Sequence, residues 1–219
     1  MITKDNIILL AISIQSWLNY INTISLSNVL AESSVRYPLA DFLERRGGYK
    51  IILEKVHPKL KDRQIDFTIE TEDGKSYVEL KVVRNNTRTT AEKQRVFNDL
   101  IRLALLAEGN VDCYFIMCGK SDSFVGDFKS ISKSTGKIQP RGKNARKPLP
   151  KGDYAKWFPF VIDKSKDVNR CNYKKWFDAF EKEYKYQIKD FDTFFVNLQT
   201  IQPQGEMQSQ TVAIWRITR

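Results

Sequence analysis

The chain has 219 residues, 42% hydrophobic and 28% charged, enough to bury a substantial core in one domain without staples. Its 36 Lys and Arg against 26 Asp and Glu give a formal net charge of +10, which suggests a polyanionic partner such as nucleic acid or an anionic membrane surface. Three cysteines with no CxxC pair exclude a zinc ribbon and a disulfide framework and point to a reducing, cytoplasmic setting, and a single histidine, His57, excludes chemistry that needs a His pair.

The first apolar stretch, NIILLAISIQSWL, is too short to span a bilayer, and Lys4 is balanced by Asp5 with no small-residue cleavage pattern after it. Ile7, Leu10, Ile14, Leu18 and Ile21 recur at helical spacing, and Ile8, Leu9 and Ile12 add a second apolar face. The pattern predicts a helix buried on two sides, against the core or a dimer mate. A second helical stripe follows in Leu30, Val35, Leu39, Phe42 and Leu43, with Pro38 expected to break or kink it near Arg36 and Gly47-Gly48 to end it.

YKIILEKV then reads as a strand, followed by a basic loop that carries His57. Residues 63–84, RQIDFTIETEDGKSYVELKVVR, alternate apolar and polar residues as a half-buried hairpin does. Thr89 and Glu92 have capping-box spacing, and Val96, Leu100, Leu103 and Leu106 continue one face of the helix they open. VDCYFIMCG is a buried strand by its continuous apolar run. The resulting order of helix, three strands, helix and strand implies a mixed sheet with helices against it.

Residues 129–151 hold eight Lys or Arg and no acid, punctuated by Gly and Pro, and read as a basic loop suited to phosphate contact or simply to solvent. The C-terminal third is aromatic: Trp157, Phe158, Phe160, Trp176, Phe177, Phe180 and Tyr184. Such rings can stack on bases, but at these spacings core packing is the stronger expectation. NYKKWFDAFEKEYKYQI reads as a helix, DTFFVNLQTI and TVAIWRITR as strands.

The hairpin carries the functional signal. A two-residue type I′ turn at Asp73-Gly74 pairs Ile65 with Val82, Phe67 with Leu80 and Ile69 with Val78, all apolar. It also sets Asp66 opposite Lys81 and makes Asp66 and Glu79 diagonal neighbours, roughly 7–8 Å apart. Asp is depleted in strands, and two carboxylates so placed can lean toward one hard cation such as Mg²⁺. The plain alternative is a cross-strand salt bridge on a wet face.

Asp66 in QIDF and Glu79-Leu80-Lys81 in VELK resemble the signature of the PD-(D/E)XK nuclease superfamily, an acid on one strand and (D/E)-x-K on the next. Ile65 stands where the motif's proline would, a position that varies in the superfamily. The likeness covers about residues 25–120. It implies an α/β, restriction endonuclease-like αβββαβ core with a mixed sheet, an N-terminal helix before it and C-terminal α/β additions at 153–219, all in a single domain.

AESSVRYPLADFLERRGGY is similar to the start of the nuclease domains of type I restriction motor subunits. That likeness implies Glu32 as a third metal-shell acid, with Glu44 the alternative because Pro38 leaves the helix phase open. Gln94 would match an auxiliary polar residue of some families. The implied activity is Mg²⁺-dependent (or Mn²⁺-dependent) phosphodiester hydrolysis, DNA ahead of RNA. Asp66, Glu79 and Glu32 would hold metal and Lys81 would position water. Arg84, Arg88, Lys137, Arg141, Lys143, Arg146 and Lys147 are candidate phosphate contacts.

No Walker P-loop is present in the sequence. The expected setting is therefore a homodimer or a subunit of a restriction or anti-phage defence complex, with no membrane. Two readings of other kinds stay open: a non-catalytic nucleic-acid-binding or scaffold protein on the same fold, and an interaction protein whose charge serves solubility.

Overall fold

The computed structural model describes residues 2–26, 30–83, 90–120, 160–163, 173–189, 195–202 and 210–219. In chain order the elements are α1 (Lys4–Thr23), α2 (Glu32–Gly47), β1 (Lys50–Val56), β2 (Gln64–Thr71), β3 (Gly74–Val83), α3 (Thr90–Ala104) and β4 (Asp112–Lys120). Then come β5 (Phe160–Asp163), α4 (Tyr173–Tyr184), β6 (Phe195–Gln202) and β7 (Gln210–Thr218). The α/β class and the αβββαβ order read from the sequence are both present. β5 is additional, in a stretch where the sequence analysis assigns no strand.

The seven strands form one sheet in the order β1-β2-β3-β4-β7-β6-β5. Only β3 and β4 run parallel, joined by α3; the other neighbours are antiparallel. The sheet is buried on both faces. On one, α1 and α2 bring Leu10, Leu18, Val35 and Leu39 against Phe67, Val78, Leu80 and Ile116. On the other, α3 and α4 bring Phe97, Leu100, Phe177 and Phe180 against Tyr77, Phe115 and Trp215. Phe177 and Phe180 are fully buried, as the core reading of the aromatics expects.

The expected stripe of α1 is buried from Ile7 to Ile21, but its second face is only partly covered among the described residues: Ile8 and Leu9 are half-buried and Ile12 is 51% exposed. The helix that Pro38 was expected to break or kink is not broken but runs through it. Proline removes the amide that would bond the Ser34 carbonyl four residues back. That carbonyl instead accepts the indole N–H of Trp17 on α1, at 3.1 Å. Gly48 ends the helix in the left-handed region, φ 64°, its N–H bonded to Glu44 O.

The β2–β3 register also differs from expectation. Phe67 pairs with Val78 and Glu70 with Lys75, so the turn residues are Glu72 and Asp73, one position earlier than predicted. A shift of two residues keeps every side chain on its face, so the apolar pattern cannot distinguish the two registers. Charge does: Glu70 sits opposite Lys75 on one side and Lys50 on the other, with Lys55 also at 3.2 Å. Hydrogen bonds from Lys75, Lys50 and Lys55 hold its carboxyl at about 2.

His57 is a loop residue, as expected, but a buried one. Its Nδ1 accepts the amides of Lys59 and Leu60, so Nε2 carries the proton and donates to Arg102 O at 3.1 Å. The ring thereby ties the β1–β2 loop to α3. Burial first, against the Arg102 carbonyl bond, lowers its pKa to about 4.

Among the described residues, no helix is long and apolar enough to cross a membrane.

Two measurements test this layer. Trp17→Phe should cost about 1–2 kcal/mol by leaving Ser34 O without its donor. Pro38→Ala returns an amide to that carbonyl and should shrink the cost. Urea denaturation of both singles and the double gives the interaction energy, and an unchanged Trp17→Phe penalty would contradict the account. For His57, a folded pKa below the free value means the neutral ring's contribution is complete above pH 6.5 and is lost as pH falls toward about 4. At 1.36 kcal/mol per unit the loss is at most about 3 kcal/mol. His57→Gln should flatten that part of the stability profile.

Candidate active site

The β2–β3 ladder ends at Phe67↔Val78. Its next pair would set Asp66 directly against Glu79, and like charges across a ladder repel. Asp66 Oδ2 instead accepts the backbone N–H of Leu80 at 2.8 Å, so a carboxylate takes over a strand donor. On β1, opposite this point, Glu54 adopts φ 51°. The strands part here into an open cleft of about 410 Å³, lined by Glu32, Asp66, Glu79 and Lys81 together.

Helices from both faces of the sheet reach this cleft. From α2, Arg36 donates to Asp66 Oδ1 and to Glu54 Oε1, each at 2.5 Å. One turn earlier Glu32 Oε1 lies 3.1 Å from Lys81 Nζ. From α3, Arg102 pairs with Glu79 and, at 3.3 Å, with Asp99. The Nε of Arg36 and of Arg102 is buried without an acceptor among the described residues.

Burial dominates the electrostatics. It pushes Glu79, 2% exposed, well above the usual carboxylate range; Arg102 opposes this, and Asp99 and Asp66 reinforce it. Asp99 is pushed up to about 7 by burial, against Arg102 and Lys81. Burial works against the charge on Arg102, but Glu79 and Asp99 outweigh it and keep the guanidinium protonated. Seven carboxylates and five cations line the cleft, a formal surplus of two negative charges in a chain of +10.

The structure therefore gathers Asp66, Glu79, Lys81 and Glu32 in one place, but with partners the sequence did not indicate. Asp66 and Lys81 are not opposite one another, and Glu32 faces Lys81. Glu44 is exposed and lies outside the cleft. Gln94 does not line it either: its amide bonds Asn98 Oδ1 and Trp176 O, joining α3 to α4. Arg84, Arg88, Lys137, Arg141, Lys143, Arg146 and Lys147 lie outside the described residues. Arg36, Asp99 and Arg102 were missed. Their signal was helical spacing, since Arg36 is four residues after Glu32 and Arg102 three after Asp99.

Asp66 and Glu79 offer hard oxygen donors side by side, a donor set that suits an ion taking one or two carboxylates and keeping its waters. No group of three or more His, Cys, Asp or Glu side chains among the described residues is placed to hold a metal. The only fit on offer among the described residues is thus to these two carboxylates, and Arg36 and Arg102 already hold an oxygen of each.

Arg102→Met should test the buried pair. At about pH 8 the stranded Glu79 carboxylate should cost about 3–5 kcal/mol. A carboxyl with a raised folded pKa favours the folded state at low pH and loses that advantage as pH rises. The penalty should therefore shrink at about pH 5, where Glu79 takes a proton. Urea midpoints at both pH values would expose the opposite trend.

No family model and no curated protein matches the chain. One solved structure, Pyrococcus furiosus SfsA in complex with Ca²⁺, is similar at 15% identity and a TM-score of 0.26, covering 40% of this chain. The chain spans 58% of the length of that protein, and a likeness of this extent carries no argument about function.

Proposed function

We propose that the protein is a PD-(D/E)XK-type nuclease that hydrolyses phosphodiester bonds, DNA ahead of RNA, with Asp66 and Glu79 holding Mg²⁺. The observation that supports this best is the meeting of Asp66, Glu79 and Lys81 in one open cleft at a point where the sheet gives up its own hydrogen bonding to let them meet.

A divalent ion held there supplies Lewis-acid charge to a phosphate oxygen. The chain's own groups do the rest. Lys81, tethered by Glu32, orients the attacking water and offsets charge developing on the phosphate.

A second reading has its own observation in its favour. Arg36 and Arg102 already pair with Asp66 and Glu79, and among the described residues no third acid is placed to complete a metal site with them. A non-catalytic nucleic-acid-binding protein on this fold would keep that arrangement permanently.

Incubation with supercoiled, linear and single-stranded DNA, and with RNA, in the presence and absence of Mg²⁺ or Mn²⁺ separates the two. The nuclease reading expects metal-dependent cleavage that falls by about 10²–10³ in Lys81→Ala and is abolished in Glu79→Gln, with folding verified by thermal melting. Salt-sensitive binding with no cleavage of any substrate would instead establish the second reading.

A further inference from the structure

We propose that Arg63 is a phosphate-binding residue at the edge of the cleft, held ready for one phosphate of a nucleic-acid strand lying there. The proposal rests on the nucleic-acid reading above, though not on cleavage itself.

The cations of the cleft differ in what they already hold. Arg36 is paired with Glu54 and Asp66, Lys81 with Glu32, and Arg102 with Glu79 and Asp99. Their charges are spent on fixing the acids. Arg63 lines the same cleft and makes no ion pair among the described residues. Its guanidinium lies over the Tyr184 ring instead, 4.7 Å from the centroid.

That stack is a rigid mount. Tyr184 is itself stacked on Phe180 at 4.4 Å and 21°, and Phe180 is fully buried in the core. The backbone is fixed as well: Arg63 O accepts the His57 amide at 2.7 Å, and the His57 ring is anchored on Arg102 O. A guanidinium on an aromatic face keeps its charge and its in-plane N–H donors, so it can still grip a phosphate. Because its rotamer is already fixed, binding would cost little further side-chain entropy.

The test is binding of a fluorescein-labelled single strand and its duplex to the full chain, with Ca²⁺ in place of Mg²⁺, across a salt series. Arg63→Gln should lower the slope of log affinity against log salt by about 0.7–0.9 and weaken binding roughly five- to eightfold at 0.1 M salt. Arg63→Lys keeps the charge and should keep the slope. Tyr184→Leu should weaken binding with the slope retained. Arg45→Gln, an exposed cation outside the cleft paired with Asp41, should change neither.

If Arg63→Gln lowers the melting temperature while slope and affinity stay as in the parent, Arg63 is a clasp and the proposal fails. The same holds if the parent protein binds neither probe, and the nucleic-acid reading then fails with it. Binding that loses its slope in Arg63→Gln supports the proposal even if no substrate is cut, in which case only the nuclease reading is lost.

Discussion

The carboxylate of Asp66 accepting the amide of Leu80 is the interaction on which the rest depends. A sheet closes by pairing every backbone donor, and a side chain that replaces one carbonyl acceptor lets two strands separate without stranding an N–H in the interior. Here the substitution falls at the pair that would otherwise set two carboxylates face to face. The opening joins the two sides of the sheet. Glu32 and Arg36 arrive from the α2 layer and Asp99 and Arg102 from the α3 layer, although those helices pack against opposite faces. A continuous ladder would keep the two sets apart.

The charges in this opening are poor candidates for a stabilising device. Replacing a buried ion pair by well-packed apolar residues is often neutral or favourable, whereas removing one partner is costly. Burial, reinforced by neighbouring carboxylates, drives the Glu79 and Asp99 carboxyls upward, so the folded state works against their ionisation. Arg102 offsets part of that. The cluster at Glu70 makes the contrast: three lysines hold a partly exposed carboxylate low, and what they select is a register. Thus the charges around Glu70 select a register, while in the cleft burial works against ionisation of the acids.

Much of this was legible in the sequence because it depends on period. The stripe from Ile7 to Ile21, the alternation from Ile65 to Val82 and the apolar run of β4 each declare an element and a face. Asp66 and Glu79 could be placed on one side of the sheet for the same reason. What was not legible depends on two-residue shifts and on contacts distant in sequence. The hairpin register escaped because alternation is blind to a slip of two, and only the Glu70–Lys75 pairing discriminates. Pro38 misled because its cost is met by Trp17, twenty-one residues earlier in the chain, through a bond no local rule contains. The arginines that face the acids were invisible for the same reason, even though their helical partners stood at readable spacings.

The C-terminal third then ceases to be an appendage. β7 lies between β4 and β6, with Trp215 and Ile214 fully buried, so a unit ending after β4 would expose a long apolar edge where the sheet now continues. α4 is equally committed. Phe177 packs edge-on against Phe97 of α3 at 5.0 Å, and Glu183 accepts from Asn98 at 3.0 Å. Glu183 and Tyr184 both line the cleft. The αβββαβ unit supplies Asp66, Glu79 and Lys81, but part of the wall against which a strand would lie comes from α4. Because α4 is held by α3, the helix that buries Phe97 and presents Arg102, core packing and the form of the cleft are set by one helix and cannot vary independently.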